Sequence, residues 1–562
     1  MGAKGDVELK RFWLVPLAAI SAWFAFSYAA IRPLADAPVV DSWIYADAAR
    51  WLAATGSVRF AGYTEAMPVG QVAYGAAWAW LFGSSDASLD LSVMMMAILG
   101  GWLFWCLAKR CGANRWQALL ATGLLVCNPC YVFLSFSFMT EIPFVTLMVA
   151  AYLAYANADG DHETRWYWAS ALLGVAAFSI RPFGAAAILG CAGASMLDVS
   201  SGRPRMRSGA FCLRIVAPFA VGIAACGAIW IWLTVIRTPP WDLANRGGDF
   251  AHLLDVPVSG YLRAGLFSPA LYLGLVLAPL AIWQTRSRGR WLDTALIGLA
   301  IATGTIFLMR LEPHPSATPA LTCFGGWRDA FGLYGGAEHF AWDGPWQWLV
   351  IAAGSIGAAG LVVAMAHVAQ LMSRAIAAVL LGAAAYWVGT IPLWFFNDRY
   401  DLLLVPAGCL LVALAPLPRP RIAMAAGCVM VAAMGLLSLG GVYSHQRGLA
   451  ELVAARDALI RSGIPRERID AGYPLNGEDL YRYAACGADD EAREAGIPMI
   501  TAGGLSEFTL SRTRHRGARV LRRLSFPGPF GFGEREIYLL RKLPDHPTIH
   551  LKTASHPQQK HT

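Results

Sequence analysis

The first apolar run of the chain, from Phe12 to Ile31, is FWLVPLAAISAWFAFSYAAI. About 20 consecutive apolar residues are enough for a helix to cross the hydrocarbon core of a bilayer. Polar and basic residues precede the run, and no small-residue cleavage site stands out after it. We therefore interpret residues 12–31 as an uncleaved first transmembrane helix rather than as a signal peptide.

The composition extends this interpretation to most of the chain. Of its 562 residues, 57% are hydrophobic and only 15% are charged, and the mean hydropathy is +0.47. In soluble domains, about a quarter of the residues are charged. The formal net charge of +8 could suggest a nucleic-acid partner, but the basic residues cluster in short loops between apolar runs. That pattern is typical of membrane topology, so we predict no nucleic-acid partner.

Further apolar runs predict a polytopic α-helical membrane protein with about 13 transmembrane helices. The predicted spans are 12–31, 88–108, 116–134, 141–157, 166–180, 183–198, 211–236, 268–284, 291–310, 346–370, 375–396, 400–416 and 421–442. With the N-terminus inside, every loop predicted inside is basic, as the positive-inside rule requires. The break at Arg181-Pro182 is the weakest point, because merging the fifth and sixth spans would reverse the sidedness of everything after them.

The pattern predicts two domains. Residues 1–442 form a transmembrane catalytic domain, and residues 443–562 form a soluble extracytoplasmic domain. Helical apolar spacing at the start of the tail (449–462) and alternation over 519–524 and 536–540 predict a small α/β fold. The C-terminus then lies outside the membrane, opposite the cytoplasmic N-terminus.

The first outer loop, residues 32–87, is predicted to contain two helices that lie on the membrane surface. In the first, apolar residues recur at helical spacing from Ile44 to Leu52. The second covers the apolar stretch from Met67 to Gly83. Helices of this kind place their apolar face in the membrane interface.

Two acids lie at the same predicted outer interface. Asp41 begins the first surface helix, and Glu141 follows the third span. Each has a structural explanation, because an acid at a helix start caps the backbone or opposes the helix dipole. The functional interpretation makes Asp41 a general base that takes a proton from an acceptor hydroxyl. Acids at this depth are costly without a partner or a role, which favours a functional Glu141.

Two arginines are predicted at the same interface. Arg181 ends the fifth span and Arg399 ends the eleventh. Each could extend its side chain to the interface or pair with a nearby acid such as Asp398. The functional interpretation is that the two guanidinium groups grip a lipid phosphate at the depth of the headgroups.

Four short motifs resemble those of the GT-C glycosyltransferases, in particular the bacterial branch of protein mannosyltransferases, aminoarabinose transferases of lipid A and galacturonosyl transferases of the lipopolysaccharide core. The resemblance covers the first 200 residues well and the middle weakly. The motifs are DSWIY at Asp41–Tyr45 followed by Ala48-Ala49-Arg50, Met67-Pro68-Val69 with Phe82-Gly83, Thr140–Pro143 (TEIP), and Arg399-Tyr400 with Pro406.

The resemblance implies an inverting transfer of a hexosyl or pentosyl group from a polyprenyl-phosphate donor. The acceptor would be lipid A or lipopolysaccharide, a polysaccharide or a protein at the outer face of the bacterial cytoplasmic membrane. Asp41 would be the base, and Glu141 would orient the donor or acceptor. Arg181 and Arg399 would neutralise the leaving lipid phosphate.

The same motifs imply that Tyr45 and Tyr400 position the substrate. One departure concerns metals: many members carry two adjacent acids in the first loop, whereas Ser42 follows Asp41 here. A divalent metal therefore stays an open alternative without support, and we assign no metal ligand and no other cofactor.

Three alternatives stay open on the sequence. A transporter or lipid flippase usually places ionisable groups near mid-membrane and often shows paired repeats, and neither is clear here. An enzyme like the O-antigen ligases would use a late outer loop, where His314, Arg328 and His339 lie. A receptor role for the C-terminal domain has no specific support.

Overall fold

The computed structural model describes residues 3–33, 35–58, 68–158, 164–198, 203–204, 212–237, 269–277, 291–311, 345–390, 398–415, 420–481, 507–511, 514–515 and 517–542. Helices dominate this part of the chain, as the sequence predicts. In chain order they are α1 (Ala3–Ile31), α2 (Ser42–Thr55), α3 (Val69–Phe82), α4 (Asp86–Arg110), α5 (Arg115–Val126), α6 (Pro129–Leu134), α7 (Glu141–Asn157), α8 (Thr164–Ile180), α9 (Ala185–Met196), α10 (Ala217–Ile231), α11 (269–277), α12 (Trp291–Leu311), α13 (Pro345–Val368), α14 (Arg374–Thr390), α15 (Val405–Leu414), α16 (Pro420–Arg461) and α17 (Tyr473–Asn476).

Short 3₁₀ and π turns flank several of these helices. The 3₁₀ turns are Pro182–Gly184, Ala369–Leu371, Asp398–Leu403, Arg466–Arg468 and Pro529–Gly531. The π turns are Cys212–Val216, Trp232–Arg237 and Gly477–Tyr481. The turn Asp398–Leu403 holds residues of the candidate site, and the turn Pro182–Gly184 directly follows another of them, Arg181.

Among the described residues, five helical segments are long and apolar enough to cross a membrane. They are Leu14–Ile31, Asp86–Arg110, Leu213–Ile231, Ile351–Leu371 and Met424–Arg461. Shorter apolar helices include Glu141–Asn157, Arg374–Thr390 and Val405–Leu414. The chain is therefore a multi-pass helical membrane protein, but the predicted number of about 13 spans is not confirmed.

The predicted span 116–134 is not one helix. It divides into α5 and α6 at Asn128, whose side-chain Oδ1 accepts hydrogen bonds from the amides of Cys130 (2.9 Å) and Tyr131 (3.3 Å). Pro129 occupies the first turn of α6, where its missing N–H costs nothing. A capping residue followed by proline thus ends one helix and starts the next within an apolar run, which hydropathy alone does not reveal.

The break at Arg181-Pro182 is real. Arg181 is extended, with φ of −146°, and the turn Pro182–Gly184 separates α8 from α9. A Cβ at Gly184 would collide with the backbone of Phe178, so only glycine allows this close return of the chain. The two helices are therefore separate, as the charge pattern requires.

Close packing of α9 against α14 depends on glycine. A Cβ at Gly190 would lie 2.5 Å from the carbonyl oxygen of Ala378 and 2.5 Å from the amide nitrogen of Gly382. Small residues let helix backbones approach in this way in membranes, where packing replaces the hydrophobic effect as the driving force. The contact fixes the position of α14, which leads towards Arg399.

Both helices predicted within residues 32–87 are present, as α2 and α3, and they pack against each other. Gly56 ends α2 in the left-handed conformation, with φ of 69°, and its amide donates to the carbonyl of Leu52. This is the usual glycine stop of a helix.

The described residues divide into two compact units. The first extends to Ala450 and includes residues 527–533, and the second comprises the described residues of 451–526 and those from Glu534 onward. The helix predicted over 449–462 is present, but as the continuation of the last predicted span within the single helix α16. The division at residue 443 stays a prediction.

Six strands are described. They are β1 (Leu197–Asp198), β2 (Arg203–Pro204), β3 (Ile469–Asp470), β4 (Phe508–Ser511), β5 (Ala518–Pro527) and β6 (Glu534–Lys542). The last four form a sheet in the order β3-β4-β6-β5, in which β3 is parallel to β4 and β4 is antiparallel to β6. Strands β5 and β6 confirm the alternation predicted over 519–524 and 536–540, while β1 and β2 form a separate antiparallel pair.

Candidate active site

Asp41 follows a tight turn at the start of α2. Val40 has a φ of 53°, a left-handed conformation that a β-branched residue rarely adopts. The hydroxyl of Ser42 accepts a hydrogen bond from the amide of Val39 at 2.8 Å, and this bond closes the turn. Strain of this kind persists only where the surroundings hold it, and it is concentrated at functional sites. Ser42, which stands in place of a second acid, thus has a structural task.

The carboxylate of Asp41 does not cap α2. Asp41 precedes the helix, but its side chain makes no capping hydrogen bond. Instead, Oδ2 of Asp41 accepts a hydrogen bond from the Nη2 atom of Arg399 at 2.8 Å. The capping explanation for this acid is therefore wrong, and its carboxylate pairs with Arg399 instead.

Arg399 lies in the 3₁₀ turn Asp398–Leu403, and its side chain is buried. It does not extend to the interface as a lone cation would. Its Nη2 contacts Asp41, and its Nε lies 3.5 Å from Oε1 of Glu141. One guanidinium group therefore connects two acids from distant parts of the chain.

Glu141 is the first residue of α7 and is fully buried. Its Oε1 accepts a hydrogen bond from Nη2 of Arg181 at 2.9 Å. Within the described part of the chain, its other oxygen, Oε2, has no hydrogen-bond partner. Glu141 does start a helix, but its carboxylate is held by arginines rather than by backbone amides.

Arg181 is fixed by a second bond that the sequence analysis missed. Its Nε donates to Oγ1 of Thr140 at 2.8 Å, and Thr140 is fully buried. The only available signal was the position of Thr140 beside Glu141 at a helix start. Together, Thr140 and Glu141 hold the planar guanidinium of Arg181 from one side.

Tyr400 lies close to both arginines. The Cζ atoms of Arg181 and Arg399 lie 5.3 Å and 5.8 Å from the centre of its ring. Both distances suit cation–π contacts. One ring therefore contacts both of the like-charged guanidinium groups.

Tyr45, on α2, is buried beside the same four charged groups. Burial, and then the Asp41 carboxylate, raise the pKa of Tyr45 above its ordinary value. Its phenol therefore stays protonated at neutral pH and keeps a hydrogen-bond donor available. All six residues singled out on the sequence thus meet in one place, which we call the acid–arginine site.

The site is charge-balanced, with two carboxylates and two guanidinium groups. Its members differ in exposure: the side chain of Asp41 is 20% exposed, that of Glu141 is 0% and those of the arginines are 7%. A molecule from outside can thus reach Asp41 first. Low local dielectric strengthens every charge interaction in the interior of the site.

A further buried acid was missed. Asp401 follows Tyr400 in the same 3₁₀ turn and is 1% exposed, and its Oδ2 has no hydrogen-bond partner within the described part of the chain. The sequence signal was the acid two residues after Arg399. No group of three or more His, Cys, Asp or Glu that could hold a metal occurs among the described residues. His314, Arg328 and His339 lie outside them.

Comparison with known proteins finds a family whose model matches part of this chain. Residues 73–232 match the family model of dolichyl-phosphate-mannose-protein mannosyltransferases. This stretch includes Glu141, the first residue of α7, and Arg181, which follows α8. No curated protein sequence matches the chain.

Two solved structures are similar in outline. The structure of ArnT from Cupriavidus metallidurans bound to undecaprenyl phosphate is 15% identical, with a TM-score of 0.44; the match covers 82% of this chain and 74% of that chain. The oligosaccharyltransferase AglB from Archaeoglobus fulgidus, in complex with an inhibitory peptide and a dolichol-phosphate, is 12% identical, with a TM-score of 0.47. The match covers 90% of this chain and 70% of that chain.

The family match covers less than half of the chain, and it agrees with the class of protein that the motifs predict.

Proposed function

We propose that this chain is a membrane glycosyltransferase of the GT-C type, which transfers a sugar, with inversion, from a polyprenyl-phosphate donor to an acceptor of the cell envelope. The observation that carries the proposal is that Asp41, Glu141, Arg181 and Arg399 meet in one buried cluster. The matched family is described by a dolichyl-phosphate sugar donor, which is a lipid phosphate of the same chemistry.

The two arginines suit the phosphate of such a donor. A guanidinium carries five N–H donors in a planar fork. Planar arginine forks bind phosphate oxygens in pairs, and these charge-assisted bonds are strong. When the anomeric C–O bond breaks, its electron pair goes to the phosphate oxygen, and the arginines stabilise the charge that grows there.

Asp41 suits the role of general base. The acceptor hydroxyl attacks the anomeric carbon, and its proton passes to the Asp41 carboxylate as the new glycosidic bond forms. Asp41 is bound to Arg399. An incoming phosphate competes for Arg399 and so releases Asp41 for its proton. This exchange couples donor binding to the appearance of a free base.

The remaining members position the reactants. The second oxygen of Glu141 is buried and lacks a hydrogen-bond partner within the described chain, so it can accept one from a sugar hydroxyl. The protonated Tyr45 can donate one. The ring of Tyr400 contacts both guanidinium groups and helps to orient them. Preorganised groups of this kind contribute to catalysis because they need no rearrangement during the reaction.

We also propose the bacterial cytoplasmic membrane as the location, with the site at the outer face. Asp41, Glu141, Arg181 and Arg399 all come from ends of spans that the charge pattern predicts outside. Their meeting in one cluster supports that sidedness. The N-terminus would then be cytoplasmic, and the domain 443–562 extracytoplasmic.

Comparative mass spectrometry of envelope glycolipids and glycoproteins tests the proposal in cells that carry the wild type or the variant Asp41→Asn. We expect a glycosylated product with the wild type and none with Asp41→Asn, at equal protein level in the membrane. Asp36→Asn is the matched control, because Asp36 lies in the same loop and its carboxylate accepts a hydrogen bond from the backbone amide of Ala87.

Full activity of Asp41→Asn would contradict the assignment of the base. Movement of a solute or lipid without any new glycosidic product would favour the transporter alternative instead. Loss of activity on substitution of His314, Arg328 or His339, with Asp41→Asn active, would favour the ligase-like alternative.

A further inference from the structure

A polar cavity lies beside α7, α8 and α14, at the ends of these helices that are remote from the acid–arginine site. Helix α7 begins at Glu141 and ends beside the cavity, while α8 and α14 begin beside it and run towards Arg181 and Arg399. The cavity has a volume of about 290 Å³, and the polar residues that line it are Arg110, Tyr155, Tyr167, Ser373 and Arg374. A 17-residue helix such as α7 is roughly 25 Å long, so the cavity cannot contact a sugar bound at Asp41.

Two guanidinium groups give the cavity a positive character. Arg110, the last residue of α4, is held at the rim because its Nε donates to the carbonyl of Ala156 at 3.0 Å. Arg374 is the first residue of α14 and is partly buried. Among the described residues that line the cavity there is no carboxylate.

The helix directions add to this charge. The first turns of α8 and α14 face the cavity through Tyr167 and Arg374. Both helices have 17 residues, and the N-terminus of such a helix carries a partial positive charge. Two N-termini and two arginines therefore converge on one space.

Hydroxyl groups complete the lining. The buried Tyr155 hydroxyl forms a hydrogen bond of 2.9 Å with the hydroxyl of Ser195. Ser373 caps α14, because its Oγ accepts from the amide of Ile376 at 3.3 Å. The cavity thus offers charged and neutral hydrogen-bond donors, which is the chemistry that phosphate oxygens require.

We propose that this cavity binds a phosphate group at the membrane face opposite the acid–arginine site, the face that the charge pattern predicts as cytoplasmic. Basic pockets between transmembrane helices on that face bind the phosphate headgroups of anionic lipids. The phosphate can belong to such a lipid or to a soluble phosphate, and the experiment separates these two sources.

The test uses the full chain purified in detergent. Binding of dioctanoyl phosphatidic acid is measured by native mass spectrometry, with dioctanoyl phosphatidylcholine as the zwitterionic control lipid, and binding of inorganic phosphate is measured by calorimetry. The test variant is Arg110→Gln/Arg374→Gln. The matched control is Arg115→Gln/Arg165→Gln, which removes the same charge from two exposed arginines that the charge pattern predicts on the same face.

We expect phosphatidic acid to bind the wild type and the control variant with similar affinity. The test variant, which lacks both arginines, should bind it roughly a hundredfold or more weakly, about tenfold for each arginine. The wild type should also melt at a higher temperature with phosphatidic acid than with phosphatidylcholine. This second measurement does not depend on the folding of a variant. Binding of inorganic phosphate without binding of the lipid would assign the site to a soluble phosphate.

Three results would overturn the proposal: binding of neither ligand, equal losses in the test and control variants, or binding that appears only after Asp159, Asp161 and Glu163 are replaced by their amides. These three acids follow Ala158 in the sequence and lie outside the described residues. The last result would mean that the native sequence already neutralises the arginines.

Discussion

Arg399 donates a hydrogen bond of 2.8 Å to Asp41, although 358 residues separate the two in the chain. The same guanidinium lies 3.5 Å from Glu141. Removal of Arg399 therefore deprives the partly buried Asp41 of its counter-ion. Glu141 then keeps its hydrogen bond to Arg181. Because unpaired charges in the interior are costly, the pair links the stability of the protein to its site.

A double-mutant cycle measures this link. We expect Arg399→Gln to lower the free energy of unfolding more than the double variant Asp41→Asn/Arg399→Gln does, with a coupling of about 1–3 kcal/mol. Neither variant should be active. The control cycle uses Glu507 and Arg541, an ion pair of 2.6 Å whose side chains are more exposed. Its coupling should be close to zero, as for most surface pairs, and equal couplings in the two cycles would contradict the prediction.

Thr140 should act through Arg181. Thr140→Val keeps the shape of the side chain but removes the acceptor of the 2.8 Å bond from Arg181. A bond to a charged group contributes about 1.5–3 kcal/mol. We expect a large rise in KM for the lipid donor, because the guanidinium loses its orientation. Thr140→Ser keeps the hydroxyl and should retain nearly normal kinetics; a similar KM in both variants would refute the role of this bond.

Tyr45 should make the protein sensitive to alkaline pH. Its pKa in the folded protein is raised above the ordinary value of 10. Above pH 10 the unfolded chain therefore binds fewer protons than the folded one, and the free energy of unfolding falls as pH rises. Relative to Tyr45→Phe, the wild type should lose up to about 1.4 kcal/mol per pH unit above pH 10. Chemical denaturation at pH 9, 10 and 11 checks this, and parallel curves for the two proteins would disprove it.

Gly190 should tolerate no larger residue. Gly190→Leu would drive a side chain into the backbone of α14 at Ala378 and Gly382. We expect a marked fall in Tm and loss of activity, because α14 leads to Arg399. Gly227→Leu is the control, since a Cβ at Gly227 meets no atom within 4 Å. Equal melting temperatures of the two variants would show that α9 and α14 are not tightly packed.

Much of the site could be predicted from the sequence, for a physical reason. Charges are rare in this chain, so the few acids and arginines at the ends of apolar runs stand out, and the positive-inside rule assigns them a side. Asp41, Glu141, Arg181 and Arg399 were found in this way. Their roles stay predictions, because position does not establish chemistry.

What escaped prediction depends on contacts between distant segments. Thr140 and Asp401 are ordinary polar residues until Arg181 and the turn at Arg399 are placed beside them. The pairing of Arg399 with Asp41 is equally a matter of tertiary structure. The helix break at Asn128-Pro129 was hidden because side-chain capping replaces lost backbone bonds inside an apolar run.

The distance in sequence between Asp41 and Arg399 has a consequence for biosynthesis. Chains are made from the N-terminus at about 5–20 residues per second, so the 358 residues between the two correspond to about 20–70 s. Glu141 meets Arg181 after only 40 residues, but Asp41 stays without its counter-ion throughout that interval. A nascent chain that stops before Arg399 therefore inserts most of its helices with one acid uncompensated. Only a chain synthesised beyond Arg399 can form the whole acid–arginine site. The assembled site therefore distinguishes such a chain from an arrested fragment.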